Sequence, residues 1–135
     1  MRAMIFILFF FAGLSSAHES LPGDVQRDIL ISEHLPNLLS GKLTAIEVDI
    51  SPMVRIGSHQ HEGFVYVYVL EGYVHSQLGD QEIVEYKKGD SWIEQPGITH
   101  SLTHNPSKTF HAKLLAVFLA NEDARLTTSG VIEEK

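Results

Sequence analysis

Histidine carries most of the potential chemistry in this sequence, with eight residues among 135. His59 and His61 are separated by one residue and precede the β-branched run Phe64–Leu70. If both begin that strand, their side chains share a face and their Cα atoms are about 7 Å apart, so that two imidazoles can reach one metal ion. The pair indicates a metal site, although a His-x-His pair alone is a weak signal.

The composition limits what kind of protein this is. A chain of 135 residues with 44% hydrophobic and 20% charged residues is typical of one globular domain. The net charge of −7, without a cluster of Lys or Arg, argues against nucleic acid as a partner. Because there is no cysteine, disulfides, thiolate ligands and a cysteine nucleophile are excluded.

The first seventeen residues are typical of a secretory signal peptide. Arg2 precedes the apolar run Met4–Leu14, and Ser15–Ala17 supplies a small-residue cleavage pattern. The run is shorter than the roughly 20 apolar residues that span a bilayer. We therefore expect cleavage after Ala17, no stable membrane anchor afterwards, and a periplasmic or secreted protein; an uncleaved anchor is the alternative.

Short strands separated by turn residues predict an all-β sandwich or barrel. We expect an irregular entry segment over residues 18–40, a barrel domain over 41–120 and a polar, loosely ordered tail over 121–135. The entry segment contains one predicted strand, Asp28–Ile31. The predicted barrel strands are Leu43–Ile50, Phe64–Leu70, Val74–Leu78, Glu82–Tyr86, Ser91–Glu94, Ile98–His104 and Phe110–Leu119.

Two blocks of the sequence resemble the two signature motifs of the cupin family. In the first, His59-x-His61 is followed by Tyr68–Gly72, which reads Tyr-Val-Leu-Glu-Gly. In the second, Gly89-Asp90 is followed by Pro96–His100, which reads Pro-Gly-Ile-Thr-His. Both blocks occur in order and at the usual separation, which is far more specific than either block alone.

The resemblance covers roughly residues 43–119 and has implications for fold and site. It implies a double-stranded β-helix, or jelly-roll barrel, with a metal inside its open end. It also places three residues of this chain at the family's histidine ligand positions: His59, His61 and His100.

One residue departs from the family pattern. The family's fourth ligand is a Glu four residues after the second His, and Val65 occupies that position. A site of three neutral imidazoles would leave both charges of a divalent ion uncancelled, so it should be a strong Lewis acid that favours an anionic chelating substrate. Strand alternation aims Glu62 away from such an ion.

Glu94 is the better substitute for the missing carboxylate. It stands where cupins usually carry an inward apolar residue, and a buried carboxylate is costly unless it is paired, protonated or bound to an ion. The alternative is a bulge that turns Glu94 to solvent. Without a bulge, Trp92 shares its face. His104, four residues after His100, is expected to face the cavity and support the ligands.

Other residues receive structural interpretations. Tyr66 and Tyr68 alternate with valines, so we expect them on the opposite face, in sheet packing or in the contact of a homodimer. His75 and His111 are interpreted as structural and His34 as a surface residue.

Three functions fit these features. The first is a non-haem dioxygenase for a small chelating anion, using one divalent transition metal ion; Fe(II) is favoured, and Zn, Ni, Cu or Mn are possible. The second is a non-catalytic module that binds a metal or a small ligand. The third, an isomerase or sugar-binding protein, is disfavoured because such cupins usually lack the three histidines.

Overall fold

The computed structural model describes residues 25–35 and 41–129. The predicted signal peptide lies outside these ranges, as do the rest of the entry segment before Val25 and residues 36–40 and 130–135. The described residues form eleven β-strands and no α-helix, and thus no helix in them is long and apolar enough to cross a membrane. The predicted all-β class is confirmed.

The strands form two antiparallel sheets that face each other. In chain order they are β1 (Val25–His34), β2 (Gly41–Ile50), β3 (Arg55–Ile56), β4 (His59–Gln60), β5 (Phe64–Glu71), β6 (Tyr73–Leu78), β7 (Val84–Lys87), β8 (Ser91–Glu94), β9 (Thr99–His104), β10 (Ala112–Asn121) and β11 (Thr128–Ser129). One sheet has the order β1-β2-β10-β5-β8, and the other has the order β11-β4-β9-β6-β7, with β3 also paired to β9.

Alternating side chains of β5 and β10 build the core. Val65, Val67 and Val69 are buried, whereas Tyr66 between them is 38% exposed. Val65 and Val67 are register partners of Phe118 and Ala116 on β10. Because successive strand residues point to opposite faces, these partners form apolar rows between the two sheets. The tyrosines lie on the outer face, as the alternation predicts.

Two segments are more ordered than the sequence suggested. β1 extends well beyond the predicted Asp28–Ile31, because it pairs with β2 from Lys42 to Ile50, with a register shift between Ile29 and Ile31. The start of the tail, expected to be loosely ordered, contains β11, which pairs with β4. Both segments gain order from pairing with a strand far away in the sequence.

The two motif histidines do not begin β5. His59 lies on the short strand β4 of the other sheet, and Glu62-Gly63 carries the chain across to β5. Gly63 is required there, since a Cβ atom at this position would lie 2.5 Å from Cβ of Ala120. The spacing between the histidines and β5 therefore contains a change of sheet, which periodicity alone does not reveal.

Candidate metal centre

Four side chains from three segments meet between the sheets. His59, His61, Glu94 and His100 each offer one ligating atom, and these atoms all lie within 4.8 Å of one another. Glu94 Oε1 is 3.0 Å from His100 Nδ1, and Glu94 Oε2 is 3.2 Å from His61 Nε2. All four residues are buried. Such a compact group of three imidazoles and one carboxylate could hold a metal ion.

The pairing of β4 with β9 brings two of the histidines together. His59 and His100 are direct register partners, and their ring centroids are 5.0 Å apart. His61 follows two residues later, with its ring centroid 4.9 Å from that of His59. The Gly97 N–H donates to the His61 carbonyl at 2.8 Å. The second cupin motif thus fixes the backbone of the first.

Glu94 lies next to the position at which the family carries its Glu, on the neighbouring strand. β8 pairs with β5 in a register that places Glu94 directly opposite Val65. Cβ atoms of such partners are about 5 Å apart on the same face. Glu94 is 1% exposed, which excludes the alternative in which a bulge turns it to solvent. This chain therefore carries its carboxylate on β8, whereas the family pattern places it on the strand that corresponds to β5.

Backbone carbonyls orient two of the rings. His59 Nδ1 donates to the Gly57 carbonyl at 2.8 Å, and His61 Nδ1 donates to the Leu126 carbonyl at 2.5 Å. With the proton on Nδ1, Nε2 of each neutral ring carries the lone pair that a metal requires. Both rings therefore present Nε2 to the centre.

Hydroxyl groups surround the third ring. His100 Nε2 is 2.8 Å from Ser76 Oγ and 3.0 Å from Thr103 Oγ1, so Nδ1 is the nitrogen that faces Glu94. Sequence reasoning missed Ser76 and Thr103, as it missed the carbonyls of Gly57 and Leu126. Only strand pairing brings these groups to the rings, and no local pattern marks them.

The charges at the centre suit a cation. Burial alone would raise the pKa of Glu94, but its close contacts with His100, His61 and Trp92 hold it far below the usual range, so the carboxylate is ionised at neutral pH. Burial lowers the pKa of His59. Burial would also lower the pKa of His61, but the Glu94 carboxylate raises it overall.

One atom of the centre lacks a hydrogen-bond partner. Among the buried side-chain polar atoms of the described residues, Glu94 Oε2 alone accepts no hydrogen bond. His61 Nε2 lies 3.2 Å from it, but the proton of that ring is on Nδ1, which donates to the Leu126 carbonyl. An orphaned buried carboxylate oxygen is costly. A cation shared with the imidazole lone pairs would satisfy it, so the donor set fits a bound metal.

Trp92 holds the other oxygen of this carboxylate. Its indole Nε1–H donates to Glu94 Oε1 at 2.9 Å, so the expected shared face of Trp92 and Glu94 is confirmed. Trp92→Phe keeps an aromatic ring but removes the donor. We expect metal affinity to fall about tenfold, the lower range for groups that orient a ligand. Competition titration against a chromogenic chelator measures this effect.

The matched control for Trp92 is its stacking partner Tyr86, whose ring centroid lies 4.5 Å away. Tyr86→Phe keeps the ring contact and leaves the Glu94 hydrogen bond intact, so metal affinity should be unchanged. Equal affinity of Trp92→Phe and the unmodified protein would show that the indole N–H does not position the carboxylate.

His104 does not face the cavity. The β6–β9 register shifts between Gln77 and Leu78, and this bulge changes the alternation after His100. Thr103 therefore shares the inward face with His100, while the His104 ring lies 6.1 Å from that of His75 on the outer face. The expectation drawn from its four-residue spacing is wrong.

The other histidines within residues 25–35 and 41–129 lie away from the centre. His75 Nε2 is 3.2 Å from Glu85 Oε2, and His111 Nδ1 is 2.6 Å from Asp49 Oδ1. His34 forms an exposed pair with Glu122. These positions agree with the structural and surface roles expected from the sequence.

An open cavity leads from the centre between the two sheets. The space free of protein atoms amounts to about 580 Å³, and this volume includes open solvent at the mouth of the cavity. Its walls are mainly apolar, and the polar groups converge at the four-residue cluster. The wall residues include Val65, Val67, Leu114 and Phe118.

A two-sheet β-barrel with three inward histidines and a carboxylate defines a class of metal-binding barrels. The sequence matches the family described as "Cupin domain" over residues 46–118, more than half of the chain. The chain therefore belongs to the cupin family. No curated protein matches the sequence.

Solved structures show the same fold. The polyketide cyclase RemF from Streptomyces resistomycificus has 22% identity and a TM-score of 0.62, covering 84% of this chain and 77% of that one. The DMSP lyase DddQ from Ruegeria pomeroyi DSS-3 has 17% identity and a TM-score of 0.66, covering 82% of this chain and 54% of the lyase. An uncharacterised double-stranded β-helix protein from Klebsiella pneumoniae has 19% identity and a TM-score of 0.62, covering 82% and 87%. The predicted jelly-roll barrel is thereby confirmed.

Proposed function

We propose that the chain is a metal-dependent cupin enzyme in which His59, His61, Glu94 and His100 hold one divalent transition ion. The observation that carries this proposal is Glu94 Oε2, a buried carboxylate oxygen without a hydrogen-bond partner beside imidazole nitrogens. Imidazole and carboxylate donors suit several ions, including Zn, Ni, Cu and Mn, and we favour Fe(II).

We propose that the reaction is the oxidation of a small chelating anion by dioxygen. A bound Fe(II) ion would supply Lewis acidity and electrons for this chemistry. Glu94 cancels one of the two charges that a purely three-histidine site would leave, so the remaining charge favours a substrate that binds as an anion. Val65 and Val67 keep the cavity wall beside the centre apolar, which strengthens electrostatic interactions there.

The preset hydrogen bonds also support catalysis. Gly57 and Leu126 carbonyls fix the rings of His59 and His61, and Trp92 fixes one oxygen of Glu94. Donors that are already oriented need little rearrangement when a charged substrate arrives. The site thereby combines rigidity with an open path from solvent.

Oxygen uptake tests the reaction. Protein loaded anaerobically with Fe(II) should consume dioxygen when mixed with at least one member of a panel of enolised diketones, hydroxy-ketones and amino-thiols. His59→Ala protein treated in the same way should not, and a Clark-type electrode measures both. Absence of uptake with every compound, together with tightly bound zinc in the native protein, would favour the non-catalytic binding module.

Export and assembly stay predictions. We propose a periplasmic or secreted protein on the basis of the signal-like residues 1–17. We propose a homodimer because Tyr66 and its cross-strand partner Ile93 expose apolar surface on the outer face of the five-stranded sheet.

A further inference from the structure

The cavity carries a positive charge away from the metal centre. Arg27 on β1 lines it together with Ile46 and Val48 of β2. Among the described residues lining the cavity, Arg27 is the sole Lys or Arg. The net charge of the chain is −7, so a cation at the cavity wall favours the binding of an anion there.

Arg27 is exposed, but its place on β1 directs it toward the cavity. Its register partner Val48 also lines the cavity, so Arg27 lies on the inward side of β1. Its neighbours Gln26 and Asp28 lie on the opposite face and bond to each other at 3.0 Å. Within residues 25–35 and 41–129, the Arg27 side chain has no hydrogen bond or ion pair. The guanidinium is thus available to a ligand.

We propose that Arg27 binds a second anionic group of the substrate, an inference that rests on the proposed function. The substrate would then have a chelating anionic head at the metal centre, an aliphatic middle and a terminal carboxylate or similar anion. Apolar side chains of Ile46, Val48 and Leu114 line the cavity along with Arg27, which suits an aliphatic middle. A planar guanidinium can hold a carboxylate through two parallel hydrogen bonds.

The test uses protein loaded with Zn(II), which binds chelators without redox turnover. Isothermal titration calorimetry compares α-keto diacids of increasing chain length with the matching α-keto monoacids. The best diacid should bind about fivefold more tightly than its monoacid, the effect of a partly exposed charge pair. Arg27→Gln should remove this preference and leave the affinity for the monoacid unchanged.

Arg55→Gln is the matched control. Arg55 on β3 is exposed, as Arg27 is, but does not line the cavity, so this variant makes the same change in charge and should keep the preference. If diacid and monoacid bind equally to the unmodified protein, or if Arg27→Gln retains the preference, the assignment of Arg27 is wrong while the metal centre stands. If neither acid binds more tightly to zinc-loaded than to metal-free protein, the proposed chelation fails and the assignment falls with it.

Discussion

Replacing His59 or His100 by alanine is expected to lower the affinity for the divalent ion by more than about tenfold, since groups that merely orient ligands cost ten- to a hundredfold. Each substitution removes one nitrogen from a cluster whose ligating atoms lie within 4.8 Å of one another. The remaining donors cannot reach the lost position, because β4 and β9 hold them in register. Elemental analysis of protein purified without added metal gives the occupancy, and chelator competition gives the affinity.

His75→Ala is the control for these variants. Its ring lies on the outer face of the same sheet, paired with Glu85, so its loss should leave both the stoichiometry and the affinity unchanged. Full metal occupancy in both His59→Ala and His100→Ala would place the metal site elsewhere in the molecule.

Removing the carboxylate from β8 is expected to weaken metal binding, and adding a carboxylate at the facing position of β5 is expected to restore it. Glu94→Val removes the one negative charge of the centre and should lower affinity by at least about tenfold. Because Val65 is the direct cross-strand partner on the same face, adding Val65→Glu to this variant returns a carboxylate to the family's usual position. The double variant should recover most of the lost affinity in the same competition titration.

Two further variants test whether the effect depends on the position of the carboxylate. Val65→Glu alone places two carboxylates side by side, so like-charge repulsion should lower the melting temperature of the metal-free protein. Glu62→Gln changes an exposed carboxylate that pairs with Arg125 and should leave metal affinity unchanged. Unaltered affinity in Glu94→Val would show that Glu94 is not a ligand.

The sequence predicts the regular strands well because their signals are local. β-Branched residues and flanking turns locate most strands to within two residues, and alternation in β5 separates the buried valines from Tyr66 and Tyr68. The three histidines are predicted through the resemblance to the two cupin motifs, which depends only on chain order. Strands of two residues, such as β3 and β4, are too short to show any periodicity.

Side-chain orientations that depend on pairing with a strand distant in the sequence could not be predicted from local patterns. The orientation of Glu94 depends on its register with Val65, since Pro96-Gly97 interrupts the alternation that leads back from His100. His104 was misplaced because the extra residue in β9 is visible only beside β6. In both cases an inserted residue or turn breaks the period-two rule on which strand arguments rest.

The Leu126 carbonyl, which orients the ring of His61, has a consequence for when the metal centre becomes complete. Leu126 follows all four candidate ligands in the chain, and its carbonyl accepts a hydrogen bond from the ring of His61. A nascent chain that has emerged only as far as β10 contains every donor of the centre but lacks the group that aims one of them. We therefore expect the ion to be bound at full strength only after the segment around Leu126 has been synthesised and has folded back onto β4.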